Sequence, residues 1–371
     1  MKKVFSFIFI LILSIFFLSV QVNAVSKSDD VLKDAEEKIF SVIDAETLEI
    51  LEYAGIDGLD FDNINNFSFE NIITYFSDDL KTQLKDTVRQ TFLILSVVFV
   101  MGLITLPSHS NDSDVVEFLT VLIIIVITVS EFTEIINVSL SVIKTSTNFL
   151  LAYIPAFAVL IAVSGNAATA LSYNTFLMGV SQVLSGFLSL FAGKIIGIYF
   201  ALSISFSLNN NVGLGRFVSS FSKTASLVIG FISSLFASFL TVKSVFAVNI
   251  DTVSAKGIRF MLTSSIPVVG SAISDAYSTL LGSIGLIKSS AAIVAVAVSL
   301  IINLPVLFKG LCFCLSFNFL SFSAEILNSR KTADILKAFS VGVKFLLLIQ
   351  IFVMFVLIVS TALMVSIKTS V

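Results

Sequence analysis

The chain has no tryptophan, one histidine and two cysteines in 371 residues. Each scarcity removes a class of chemistry. A structural zinc site takes four nitrogen or sulfur ligands at recognisable spacings, and Cys312-Phe313-Cys314 offers neither a metal nor a redox spacing. The two thiols read as small buried hydrophobes. His109 lies in the polar stretch PSHSNDSD and reads as solvated. There is no HExxH and no CxxC, and GKIIG (193–197) lacks the spacing of a phosphate-binding loop. The expectation is a chain that is not an enzyme, hydrolyses no ATP and holds no cofactor or metal.

Charge is scarce as well. Only 13% of residues are Asp, Glu, Lys or Arg, against about 25% in soluble domains. What replaces it is apolar: 56% of the chain is hydrophobic and the mean hydropathy is +1.03. Lipid is the solvent that tolerates such a balance. Hydrophobic runs recur at 91–106, 115–130, 148–163, 175–191, 194–208, 224–242, 290–308, 310–322 and 343–367. Most approach the roughly 20 residues that cross a bilayer. Helices satisfy their own backbone in lipid without closing a barrel. The fold class expected is all-α and polytopic, with about seven or eight transmembrane helices, Pro/Gly-broken elements and a small acidic head.

Before the first run the composition is different. MKKVFSFIFILILSIFFLSVQVNA places two lysines before an apolar core and ends on small residues, the pattern of a cleaved secretory signal over 1–24. An uncleaved anchor is the alternative. Residues 25–90 then carry 16 acidic and 6 basic side chains, leaving 9 acidic and 16 basic elsewhere. The domains expected are a signal (1–24), an acidic helical extracytoplasmic region (25–89) and a polytopic membrane domain (90–371). Gly55 and Gly58 read as a turn in the head. With the head outside, Arg216, Lys223 and the basic loop at 328–338 fall in the cytoplasm, as the positive-inside rule requires. Lys243, Lys256 and Arg259 then fall outside, so 258–286 reads as a re-entrant or interfacial alternative. EFTEIINVSLSVIK, from Glu131 to Lys144, reads as a helix end emerging among headgroups.

Four prolines sit in or beside apolar runs: Pro107, Pro155, Pro267 and Pro305. Two of them share a context. YIPAFAVLIAVSGNAATA and SSIPVVGSAISDAYS both set Ile-Pro in an apolar stretch, followed by small residues. In a membrane helix proline frees a carbonyl one turn earlier. Pro155, Gly165, Pro267, Gly270 and Asp275 are therefore candidate broken-helix or pathway positions. Asp275 is the sharpest, because an ionisable group in lipid usually faces protein or water. If 258–286 is interfacial, it is simply wet.

The leader, the acidic head, YIPAF with SGNAATA, and KGIRFMLTSSIPVVGSAISDAYSTLLGSIGLIKSSAA together resemble the stage III sporulation protein AE family of endospore-forming Firmicutes. The resemblance covers essentially the whole chain. It implies a membrane subunit of the channel between mother cell and forespore, needed for late forespore development. It also implies partners: the other proteins of the third-stage sporulation A operon, including a separate ATPase, and a forespore membrane protein. The implied location is the mother-cell membrane around the forespore, in a larger oligomer with no nucleic acid. The residues leave two other readings open. One is a self-contained secondary transporter of small solutes, and the other is a non-conducting membrane scaffold.

Overall fold

A computed structural model describes residues 43–56, 67–105, 110–163, 167–187, 193–209, 215–228 and 270–366, with a few single positions between them. Among the described residues every regular element is a helix. The principal helices are α1 (Ala45–Tyr53), α2 (Phe69–Thr105), α3 (Ser110–Val163), α4 (Ala167–Phe187), α5 (Gly193–Asn209), α6 (Gly270–Ile326) and α7 (Arg330–Ser366). The signal expected at 1–24 lies outside the described residues, as do Pro107, His109, Gly165 and Pro267.

Four of these helices contain a segment long and apolar enough to cross a membrane: Phe69–Ile104, Asp114–Ala162, Ser289–Ile326 and Arg330–Ala362. The helix Gly193–Leu208 is apolar but shorter. Two pairs of runs that hydropathy separates are single helices here. The runs 115–130 and 148–163 are the halves of α3, a helix of 54 residues, about 80 Å long at 1.5 Å per residue. The runs 290–308 and 310–322 are parts of α6, which has 57 residues.

The local chemistry accounts for both fusions. Between Glu131 and Thr147 there is neither glycine nor proline, and the hydroxyls of Thr133 and Thr147 donate back to Val129 and Ile143 carbonyls at 2.8 Å. The polar residues read as a helix end therefore lie in mid-helix. Gly310 of α6 serves packing: a Cβ there would come within 2.7 Å of Leu347 Cδ2. Nor does α3 break where a break was expected, since it continues through Pro155. The proline forfeits a backbone hydrogen bond, but Tyr153, Ile154, Ala156 and Phe157 around it are all buried and hold the helix in place.

α1 is short and well capped. The Asp44 carboxylate accepts from Thr47 N at 2.8 Å, as an N-cap should. At the other end Gly55 adopts φ 91°, while Ile56 N donates to Leu51 O and Gly55 N to Glu52 O at 2.8 and 3.0 Å. This left-handed stop needs a residue free of the Cβ penalty, and it bears out the turn read at Gly55. α6 ends the same way with Asn328 at φ 55°, and Ser329 N and Asn328 N donate to Ala324 O and Glu325 O.

The long helices alternate in direction and enclose two large buried clusters, one beyond the other along the bundle. The first, here the head core, joins Ile50, Leu51, Ala54 and Ile56 at α1 to Ile72 and Phe76 of α2. It continues through Phe149–Ile161 of α3, Ala170–Leu177 of α4, Ala291–Ile301 of α6 and Ile349–Leu357 of α7. The second, the hairpin core, holds Ile94 and Val98 of α2, Val121–Ile135 of α3, and Ile196 and Tyr199 of α5. It is completed by Phe313–Ala324 of α6 and Ala333–Leu347 of α7. The described part of the head is thus seated on the body through α1, and α2 runs unbroken across the expected boundary at 89/90.

Candidate functional site: a polar waist between two cores

Where the two cores meet, polar side chains replace apolar ones. Asn303 is fully buried and donates to Ser146 Oγ at 3.1 Å and to the Ser299 carbonyl at 2.8 Å. Gln350, also fully buried, donates to Asn303 Oδ1 at 3.3 Å. Three helices are thereby tied together: α3 through Ser146, α6 through Asn303 and α7 through Gln350. Gln350 Oε1 and Ser299 Oγ are buried without a hydrogen-bond partner. A buried amide oxygen left so costs about 1–3 kcal/mol. The network fixes helix register at a cost in stability, a use attested for lone polar groups in helical cores.

On the outside, about two turns along α6 from Asn303 toward the hairpin core, Lys309 Nζ of α6 meets Glu134 Oε1 of α3 at 2.6 Å. Glu131 lies one turn away along α3, near Gln90 of α2. At the far end of the bundle a second charged cluster clamps the α6–α7 turn. Glu117 Oε1 accepts from Lys331 N at 2.8 Å and from Ser329 Oγ at 3.1 Å, and Lys331 Nζ reaches Asp114 at 2.9 Å. A carboxylate at the first turn of α7 also complements the positive end of the helix dipole.

The described candidates read from sequence, Pro155, Gly270 and Asp275, are not gathered into one site. Pro155 lies half-buried inside α3, in the head core. Gly270 and Asp275 fall in the first two turns of α6. Tyr153 Oη donates to the Ala291 carbonyl at 3.2 Å, so Pro155 packs about 24 Å along α6 from Asp275. Gly165 and Pro267 are outside the described residues. Cys314 is buried and Cys312 half-buried, both as free thiols; Cys314 Sγ lies 3.6 Å from Ser340 Oγ. Among the described residues no three His, Cys, Asp or Glu side chains group as metal ligands would.

Sequence reading passed over Asn303, Gln350 and Ser146. The signal was present: a lone carboxamide in SLIINLPVLF and another in FLLLIQIFVMF. A buried amide must find a partner, and two such residues in different helices can partner each other.

An all-helical bundle with four membrane-grade helices and a polar waist defines the class: a helical membrane protein. The family follows from comparison. The chain matches the model of "Stage III sporulation protein AE (spore_III_AE)" over residues 58–368, and it belongs to that family. It is 26% identical over 212 residues to the stage III sporulation protein AE of Bacillus subtilis (strain 168). That match covers 56% of this chain and 52% of the relative, so the chain spans about half the length of the curated relative it matches. No solved structure matches.

Proposed function

We propose that this chain is a membrane subunit of the channel or export apparatus joining mother cell and forespore. The observation that carries the reading is the family match over 58–368 on a chain with four membrane-grade helices. A sporulation family supplies the process, and the bundle supplies the membrane setting.

On this reading the protein performs no catalysis. Its partners are the other proteins of the third-stage sporulation A operon, a separate ATPase among them, and a forespore membrane protein. It sits in the mother-cell membrane around the forespore, with the acidic 25–89 region extracytoplasmic and positioned to meet partners there. Four described helices are long and apolar enough to cross the membrane, and the proposal for the whole chain is seven or eight crossings. How many helices cross lipid depends on where along the bundle the bilayer sits.

A fluorescently tagged copy followed through growth and sporulation tests the role. Signal confined to the membrane engulfing the forespore is the expected outcome; signal throughout the membrane of growing cells would favour a general transporter. If Asp275 lines a passage, Asp275→Ala lowers spore counts more than Asp251→Ala, and equal counts would remove Asp275 from the pathway.

A further inference from the structure

The exposed stripe of α2 changes character once, within one continuous helix. Up to Arg89 it presents Glu70, Asp78, Asp79, Lys81, Lys85 and Asp86, with Phe69, Ile73, Leu84 and Val88 interspersed among them. From Phe92 onward its exposed side chains are Phe92, Leu93, Ser96, Phe99, Val100, Leu103 and Ile104. The same level is marked on the neighbouring helices. α3 exposes Val115, Phe118, Leu119, Leu122, Ile123, Val126 and Val129, and its run of charge then begins at Glu131 and Glu134. Directly beyond Lys309, α6 exposes Leu311, Leu315, Phe319, Phe322 and Ile326, with Asn318 as the polar residue between them.

We infer that the bilayer surrounds only the hairpin-core half of the bundle. One lipid surface then lies at Arg89, Glu131, Glu134 and Lys309, and the other at Asp114, Glu117, Glu325 and Arg330. The acyl chains are the occupant of the apolar belt. The head core, with the polar waist at its base, stands outside the hydrocarbon.

The spacing fits that occupant. Lys309 to Glu325 along α6 is about 24 Å, and Asp114 to Glu134 along α3 about 30 Å, close to a hydrocarbon core about 30 Å thick. Two rims of charge bracketing an apolar belt of that height describe a membrane-embedded surface, whereas a protein interface has no reason to match lipid thickness. α7 is the inner helix of this half. Its exposed side chains between Arg330 and Lys344 are those two and Lys337. Lys337, about 10 Å along α7 from Arg330, lies near Asp334, and Lys344 Nζ donates to Asn318 Oδ1 at 3.4 Å, so each ammonium inside the belt has a polar partner.

The head-core half cannot take the same surroundings along α2, where immersion would bring six carboxylate or ammonium groups and Arg89 into hydrocarbon. Its apolar side chains are satisfied by one another. The hydrophobic windows of α6 and α7 are 67% and 72% buried inside the protein, against 28% for α2 and α3. Runs such as 148–163 and 290–302 are thus core helix segments with the hydropathy of spans. This inference rests on the membrane reading and is independent of what the assembly conducts.

The absence of native tryptophan makes the test direct. Phe99→Trp, Ile123→Trp and Phe319→Trp place a sole indole in the belt; Tyr53→Trp, Ile73→Trp and Leu171→Trp place it at exposed head-core positions. The full chain is reconstituted in phosphatidylcholine–phosphatidylglycerol vesicles with and without acyl-brominated phosphatidylcholine, and helix content is checked by circular dichroism. The expected result is several-fold stronger quenching at all three belt positions than at the three head-core positions. Equal quenching at Leu171→Trp and Phe319→Trp would show a bundle immersed along its length. Unquenched belt positions would show a surface covered by protein, such as a second copy. Either outcome overturns the inference, and neither bears on localisation during sporulation, which tests the channel reading separately.

Discussion

The two halves of the bundle are built from the same amino acids and hide them in different ways. In the head core, Tyr153, Phe157 and Leu51 are buried by other protein groups, with the rings of Phe149, Tyr153 and Phe157 in contact along α3 at centroid spacings of 5.5 and 5.3 Å. In the hairpin half, Phe92, Phe99, Val126 and Phe319 lie on the outside, Val126 with 73% of its surface exposed. Hydropathy counts the two alike. The difference is in what removes the surface from water: neighbouring side chains in one half, lipid in the other.

That contrast can be broken most severely from the inside. Phe157→Ala should cost about 3–5 kcal/mol, the usual penalty for emptying a fully buried aromatic site. The check is thermal or denaturant unfolding in detergent micelles, with Phe99→Ala as the partner measurement. On the present account Phe99→Ala costs far less, because it leaves no internal cavity. Equal losses would mean the belt is packed against protein.

A charge probes the outer surface. Val126→Lys should impair membrane insertion by roughly 2.5–3.5 kcal/mol, whereas Leu84→Lys, on the charged stretch of α2, should be close to neutral. A glycosylation-based insertion assay reads both. At the helix contacts, Gly342→Val should cost about 1–3 kcal/mol, since a Cβ there would sit 2.7 Å from Phe132 Cζ. The same substitution at Gly179, where nothing lies within 4 Å, provides the control.

Effects of similar or smaller size are expected at the waist and its outer ion pair. Asn303→Leu removes the acceptor of Gln350 and the donor to Ser146, and should cost about 1–3 kcal/mol. Gln350→Leu made on that background should recover part of the loss; failure to recover would mean the amides do not act as a pair. Lys309→Met should change stability by no more than about 1 kcal/mol, because Glu134 is largely exposed.

The helical class was legible from composition alone, and so was the turn at Gly55, because few residues accept positive φ. Sporulation-family membership was legible from the Ile-Pro blocks. Helix count was harder to read. A polar stretch such as Glu131–Lys144 looks like a boundary in a hydropathy plot, yet without glycine or proline nothing stops the helix, and Glu134 finds Lys309 some 175 residues later. Pro155 looked like a break, but buried neighbours on both sides outweigh one lost hydrogen bond. The waist was missed for the same reason: Ser146, Asn303 and Gln350 are each unremarkable alone and acquire meaning only when three distant helices meet.

The central claim, that lipid contacts one half of the bundle, is tested most directly along α2. Nitroxide labels at Ile73, Leu84, Val88, Phe92, Phe99 and Leu103, in a chain lacking Cys312 and Cys314, would be reconstituted in vesicles. Power saturation then compares accessibility to oxygen with accessibility to a polar nickel chelate. The account predicts chelate access up to Val88 and a sharp change to oxygen access from Phe92 onward. Oxygen-dominated access already at Ile73 and Leu84 would contradict it.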